Sequence, residues 1–221
     1  MLASAMPKSI SIDLLKKELK NSAFSLGDMV RFIRLAMIYR KQYLGKNSIF
    51  IHNPKCAGQS IGKALYGKSL GHSPPGIIRA CIGFDEYKKH KKIVFVRCPV
   101  ERLISAYNFS LTGGTSVVKQ DRFRRVPKKY LGDFETFCYN RLFKQSPKSL
   151  DYLLRDQSNW ILSNNKQIIV NSILDISQLN VCMAKEFGIN TPITQINKSI
   201  QKQSKEKTFA CQPCSRYQDV L

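Results

Sequence analysis

The sequence predicts an α/β fold with a parallel central sheet flanked by helices. Two observations carry this. Ser48-Ile49-Phe50-Ile51-His52 and Lys92-Ile93-Val94-Phe95-Val96-Arg97 are short apolar runs without alternation, as strands covered on both faces require. Each is followed by a turn and then by apolar residues at helical spacing: Ile61, Ala64 and Leu65 after the first, Leu103, Ala106 and Tyr107 after the second. Strands alternating with helices make the sheet parallel.

The remaining elements follow in order. Residues 9 to 44 read as helical, with Ile12, Leu15 and Leu19 on one face, then Val30, Ile33, Ala36 and Met37 on another. Arg31, Arg34, Arg40 and Lys41 crowd the other positions, which suits a helix packed on the core by one face or lying on a membrane surface. Gln167 to Val170 is the third strand candidate, and a helix from Gln178 to Phe187 stops at Gly188. Between 111 and 165 the pattern is poorer. Helices are expected around Phe134 to Phe143 and Leu153 to Leu162, after a basic excursion from Lys119 to Lys129. This divides the chain into an N-terminal helical segment, 1–47, packing on the core, a main domain, 48–200, and a polar basic tail, 201–221.

Composition bounds the function. Lys and Arg outnumber Asp and Glu by 36 to 15, a formal charge of +21, so polyanions are attracted. The apolar fraction of 43% supports a packed core. Seven irregularly spaced cysteines do not form a disulfide framework, and Cys211-x-x-Cys214 has no second ligand pair, so no metal is expected. No apolar run is long enough to span a membrane and no leader is evident, which predicts a cytoplasmic chain.

Two constellations carry chemistry. Pro54-Lys55-Cys56-Ala57-Gly58-Gln59-Ser60 leaves the first strand and enters a helix, where backbone N–H groups gather at the positive helix end. Lys55 adds charge and Ser60 a hydroxyl, so phosphate or sulfate is the natural ligand; the ordinary alternative is a plain strand–helix turn. The order differs from the G-x-x-x-x-G-K-[ST] loop of nucleotide triphosphatases. Arg97 ends the second strand at the sheet's carboxyl edge, and Ser105 lies about two turns into the next helix, together suiting a second phosphate. Arg102 reads as an exposed helix charge. Of three histidines, His52 reads as a core residue, His90 as part of a solvated charge run, and His72 as either a surface loop residue or a general base.

The stretches Ile49 to Ile61 and Phe95 to Tyr107 resemble the carbohydrate sulfotransferase family. Its members carry a P-K-x-A-G-[TS]-S loop and an F-V-R-[DN]-P-x-x-R-x-x-S-x-Y segment. The resemblance runs from about Ser48 to Ile200, including Gly71-His72-Ser73, Phe84-Asp85-Glu86-Tyr87, Leu154-Arg155-Asp156-Gln157 and Ile196-Asn197-Lys198-Ser199. It implies a P-loop nucleotide-kinase-like sulfotransferase fold and 3′-phosphoadenosine-5′-phosphosulfate as donor. Lys55 would meet the bridging oxygen, and the amides of Cys56, Ala57, Gly58, Gln59, Ser60 and Ile61 would cradle the 5′ end. Arg97 and Ser105 would clasp the 3′-phosphate, and His72 would be the base. The acceptor would be a hydroxyl, on a glycan rather than a nucleic acid. Relatives in animals are Golgi membrane proteins, the alternative location.

Three positions depart from the pattern: Cys56 for Thr, Gln59 for Thr or Ser, and Cys98 for Asp or Asn. A degenerate, non-catalytic binder of acidic glycan or nucleic acid is one rival reading, and a nucleotide kinase is the other.

Overall fold

A computed structural model describes residues 12–20, 24–111, 132–146 and 149–193. The Lys119 to Lys129 run, the 196–199 motif, the tail and the Cys211/Cys214 pair lie outside the described residues.

Three helices come first: α1 (Ile12–Lys20), α2 (Leu26–Ile38) and the short α3 (Arg40–Leu44). Ser25 caps α2, its Oγ accepting the Asp28 N–H at 3.2 Å and donating to the Asp28 carboxylate at 2.8 Å. β1 (Ser48–Ile51) follows, then α4 (Gly58–Tyr66), α5 (Pro75–Ile82), α6 (Phe84–Lys89), β2 (Lys91–Val96) and α7 (Pro99–Leu111). After the undescribed stretch come α8 (Phe134–Cys138) and a π turn, Tyr139–Phe143. A 3-10 turn (Gln157–Trp160), β3 (Ser172–Asp175), a second 3-10 turn (Ile176–Gln178) and α9 (Leu179–Phe187) complete the described chain. Gly188 ends α9 at φ 68°, as its place in the sequence predicts.

The strands form one parallel sheet in the order β1-β2-β3, with Ile51 opposite Val94 and Val96 opposite Asp175. Side chains alternate across it. Ile49, Ile51, Val94 and Val96 join a core with Phe32 and Ala36 of α2, Ile77 and Ile78 of α5, and Trp160. Phe50, Ile93 and Phe95 face the opposite way, onto Ile61 of α4 and Met183 of α9. Both faces are therefore buried, which is why the strands lack polar alternation. The outward N–H of Phe50, on the free side of β1, donates to the Tyr66 hydroxyl at 3.1 Å.

Two expectations need correction. The third strand is not Gln167 to Val170 but Ser172–Asp175. Residues 161 to 169 fold back on themselves, with Ile168 bridged antiparallel to Leu162 and the turn passing through Lys166 at φ 60°. Asn171 then starts the parallel pairing: its N–H donates to Lys92 O at 2.8 Å, and its Oδ1 accepts Lys92 N–H at 2.9 Å. The segment Leu153 to Leu162 is likewise no helix beyond the 3-10 turn, because its apolar residues are spent on core contacts from irregular backbone.

The N-terminal segment packs on the core. Phe32 of α2 sits edge-on to Phe24 and Tyr152, at centroid distances of 5.1 and 5.9 Å. The Glu18–Arg79 ion pair, at 3.2 Å, joins α1 to α5. Phe32→Ala removes the aromatic pin between α2 and the Phe24 and Tyr152 rings and is expected to cost about 3–5 kcal/mol in urea unfolding.

Candidate active site

The loop after β1 has an unusual backbone. Lys55 and Ala57 both adopt left-handed conformations, φ 67° and 52°, which cost non-glycine residues energy unless the surroundings impose them. Ala57 is the N-cap of α4 and has no side chain to satisfy the first-turn amides. The first helical bond runs from Ile61 N–H to Ala57 O at 3.1 Å. The Ile61 amide thus closes the helix while its side chain fills the core, and the loop delivers the chain directly into the positive end of α4. Gln59 and Ser60 occupy that first turn, Ser60 buried and Gln59 half-buried.

Gly58 serves a purpose that spacing does not reveal. A Cβ there would lie 1.8 Å from His52 Cδ2, so the glycine makes room for the histidine ring at the helix start. His52 is buried, as its place at the strand end predicts.

Two buried side chains hold the loop. Gln157 Oε1 accepts from Asn53 Nδ2 at 2.9 Å and from Arg97 N–H at 3.0 Å, and its Nε2 donates to Arg97 O at 2.8 Å. The Cys56 thiol also lies on Oε1, at 3.5 Å. Cys56 is fully buried and its thiol is pushed up to about 12 by burial, so it fills space rather than reacting. Asn53 Nδ2 reaches Phe95 O as well, at 3.0 Å. The second holder is Arg102. Far from being an exposed charge, it is buried and donates to three carbonyls: Pro54 at 3.1 Å, Leu153 at 3.1 Å and Arg155 at 2.8 Å. Its position on the inner face of α7 aims the guanidinium beneath the loop, which helical spacing alone did not indicate.

His72 reaches the same place from the 67–74 connection. Ser73 Oγ donates to Phe32 O at 2.9 Å and Trp160 Nε1 donates to His72 O at 3.4 Å, fixing the connection against α2 and the core. The His72 and His52 rings lie 3.9 Å apart between centroids, and His72 Nδ1 approaches His52 O at 3.4 Å. Tyr152 flanks His72 at 5.3 Å, with the Arg31 guanidinium 5.4 Å above the Tyr152 ring. Burial, the His52 ring and the charges of Arg31 and Lys55 hold the His72 pKa well below the usual imidazole value, so His72 is neutral at pH 7. Burial drives His52 down to about 3.

Lys55 lies 4.1 Å over the Phe109 ring. Burial, then the neighbouring Arg97 and Arg102 charges, lower its pKa to about 8. Arg97 leaves the end of β2 and pairs with Glu101 at 3.1 Å, while Ser105 is half-buried on α7 one turn beyond Glu101. The structure therefore gathers Lys55, the α4 start and His72 at one point and sets Arg97 on the adjoining strand end. Chemically this is a cluster of cations at a helix start on the sheet edge, with a neutral imidazole beside it.

Sequence reasoning missed Gln157, Arg102 and Arg31. Gln157 stands in the polar stretch Arg155-Asp156-Gln157-Ser158-Asn159, where nothing local sets it apart from its polar neighbours, although its side chain is buried. A separate hollow of ≈ 270 Å³ is lined by Glu18, Phe24, Pro74, Asn159 and Lys166 among others, and neither Lys55, His72 nor Arg97 borders it. Among the described residues no three His, Cys, Asp or Glu side chains gather as a metal site. No family model, no curated protein and no solved structure matches this chain.

Gln157→Leu leaves the buried N–H and C=O of Arg97 without their partner. It is expected to cost about 2–4 kcal/mol in urea unfolding, with a smaller loss for Gln157→Glu, which keeps the acceptor.

Proposed function

We propose that this protein transfers a sulfuryl group from 3′-phosphoadenosine-5′-phosphosulfate to a hydroxyl of a carbohydrate, within a sulfotransferase fold of the nucleotide-kinase type. The observation that carries the reading is the meeting of His72 with His52, which leads into the Lys55 loop, through rings 3.9 Å apart, across twenty residues of chain. A base beside an anion cradle is what acyl-free group transfer from a phosphosulfate requires.

In the reaction the acceptor oxygen attacks sulfur as its proton passes to a ring nitrogen of His72. The bond from sulfur to the bridging oxygen breaks, and adenosine 3′,5′-bisphosphate leaves with the electron pair. Lys55 and the amides at the start of α4 stabilise the charge that grows on the leaving phosphate, an effect of about 3 kcal/mol per well-aimed donor. Arg97 and Ser105 take the 3′-phosphate. Arg97 can leave Glu101 at little cost, because that ion pair is partly exposed and such pairs contribute only about 0–1 kcal/mol. His72 starts as a weak base, chiefly because it is buried, with the His52 ring and the Arg31 and Lys55 charges adding to the effect. An anion bound between those cations offsets their part of the field and raises its basicity.

Calorimetric titration with adenosine 3′,5′-bisphosphate and with ATP-Mg tests the donor. Binding of the bisphosphate that weakens at least about tenfold in Arg97→Ala supports the reading, as loss of a charge-assisted phosphate contact should. Binding of neither nucleotide overturns it, and preference for ATP-Mg favours a kinase. With labelled donor and a glycan panel, His72→Ala should lower turnover by about 10²–10⁴-fold.

The pH dependence has a definite sign. Lys55 is charged below about 8 and neutral above it, so bisphosphate affinity should be steady near neutrality and fall as pH rises through 8. In Lys55→Met that alkaline fall should disappear. The same depressed pKa makes the folded state gain stability as pH rises from about 8 toward the ordinary lysine range, because there the unfolded chain binds the extra proton.

A further inference from the structure

Helix α2 has two apolar faces, and the fold uses only one. Met29, Phe32 and Ala36 are buried against the core. On the other side Leu26, Val30 and Ile38 remain 74%, 57% and 55% exposed. With the exposed Arg34 they occupy successive i, i+4 positions, within an arc of about 120° along a helix about 20 Å long. The helix lies flat on the protein, so this arc faces outward along its whole length.

We infer that the outer face of α2 docks on an anionic lipid surface. The charge around the stripe decides between occupants. From residue 26 to 46 the chain carries Arg31, Arg34, Arg40, Lys41 and Lys46, and the single acid, Asp28, is buried. Arg34, Lys41 and Lys46 are exposed. A second copy would bring these cations against their own kind, on chains already at +21. A bilayer with acidic headgroups supplies opposite charge for the flanking cations and an acyl boundary for Leu26, Val30 and Ile38, which is how an in-plane amphipathic helix binds. Arg31, at the flank of the same helix, reaches the Tyr152 ring beside His72, so the docked face and the candidate site share an element.

The test is co-sedimentation of the full chain with phosphatidylserine–phosphatidylcholine vesicles and with phosphatidylcholine vesicles, at near-physiological salt. The chain should bind the acidic vesicles and release as salt rises. Leu26→Ser/Val30→Ser/Ile38→Ser leaves the charge unchanged and should weaken vesicle binding at least about tenfold, given the apolar area withdrawn. Val181→Ser/Phe84→Ser, which removes exposed apolar side chains from α9 and α6, should bind as the parent does. Circular dichroism should be the same for all three proteins, since every substituted side chain is exposed. The proposal is overturned if the parent ignores acidic vesicles, if the triple variant binds equally well, or if the control weakens as much. It is also overturned if the parent is a dimer that the triple serine variant dissociates, which would assign the face to a second copy. None of these readouts depends on the proposed reaction.

Discussion

The side-chain amide of Gln157 is shared between the ends of two strands. It accepts from Asn53 after β1 and both gives to and takes from the backbone of Arg97 after β2. A parallel sheet leaves the groups beyond its last ladder bond without partners, and at this edge they are also shielded from water. A single amide with one acceptor and one donor end satisfies them and sets the two strand exits at a fixed separation. The Lys55 loop on one exit and the arginine on the other inherit that separation. Arg102 acts from below, tying the Pro54 carbonyl to those of Leu153 and Arg155, so the segment bearing Gln157 and the loop bearing Lys55 are held as one piece.

This bracing accounts for the left-handed backbone at Lys55 and Ala57. Neither residue favours that conformation, and each would relax if the loop were free. Held from beneath by Arg102 and at the side by Gln157, the chain turns sharply enough to start α4 directly against the sheet edge. Lys55 is then confined over Phe109 among other cations, which makes its ammonium group hold its proton less firmly than an exposed lysine does. The loop thus concentrates positive charge at the sheet edge, at the expense of local backbone and electrostatic comfort.

Much of this was legible in the sequence. Unbroken apolar runs marked β1 and β2, and glycine at 188 marked the end of α9, because burial on both faces and left-handed caps leave local signatures. The loop, Arg97 and His72 were legible as candidates by residue type. Their assembly was not, since it depends on contacts between residues twenty to a hundred positions apart. Gly58 illustrates the limit: a glycine in a phosphate-type loop suggests room for a ligand, whereas here a Cβ would strike the His52 ring. Arg102 illustrates the reverse, a residue that looks like a solvated helix charge and is a buried strut. The false third strand at Gln167 to Val170 arose because a short apolar run fits a hairpin arm as well as a sheet strand, and Asn171 decides between them through its two bonds to Lys92.

Among the described residues the sheet has three strands, and β1 forms one of its two rims. The Phe50 N–H faces outward there and is met by the Tyr66 hydroxyl of α4. An amide left bare on such a rim is a template on which a foreign strand can be laid. The phenol therefore acts as a stopper against strand addition. Its loss would show in how long concentrated protein stays in solution more than in how strongly a single molecule holds together.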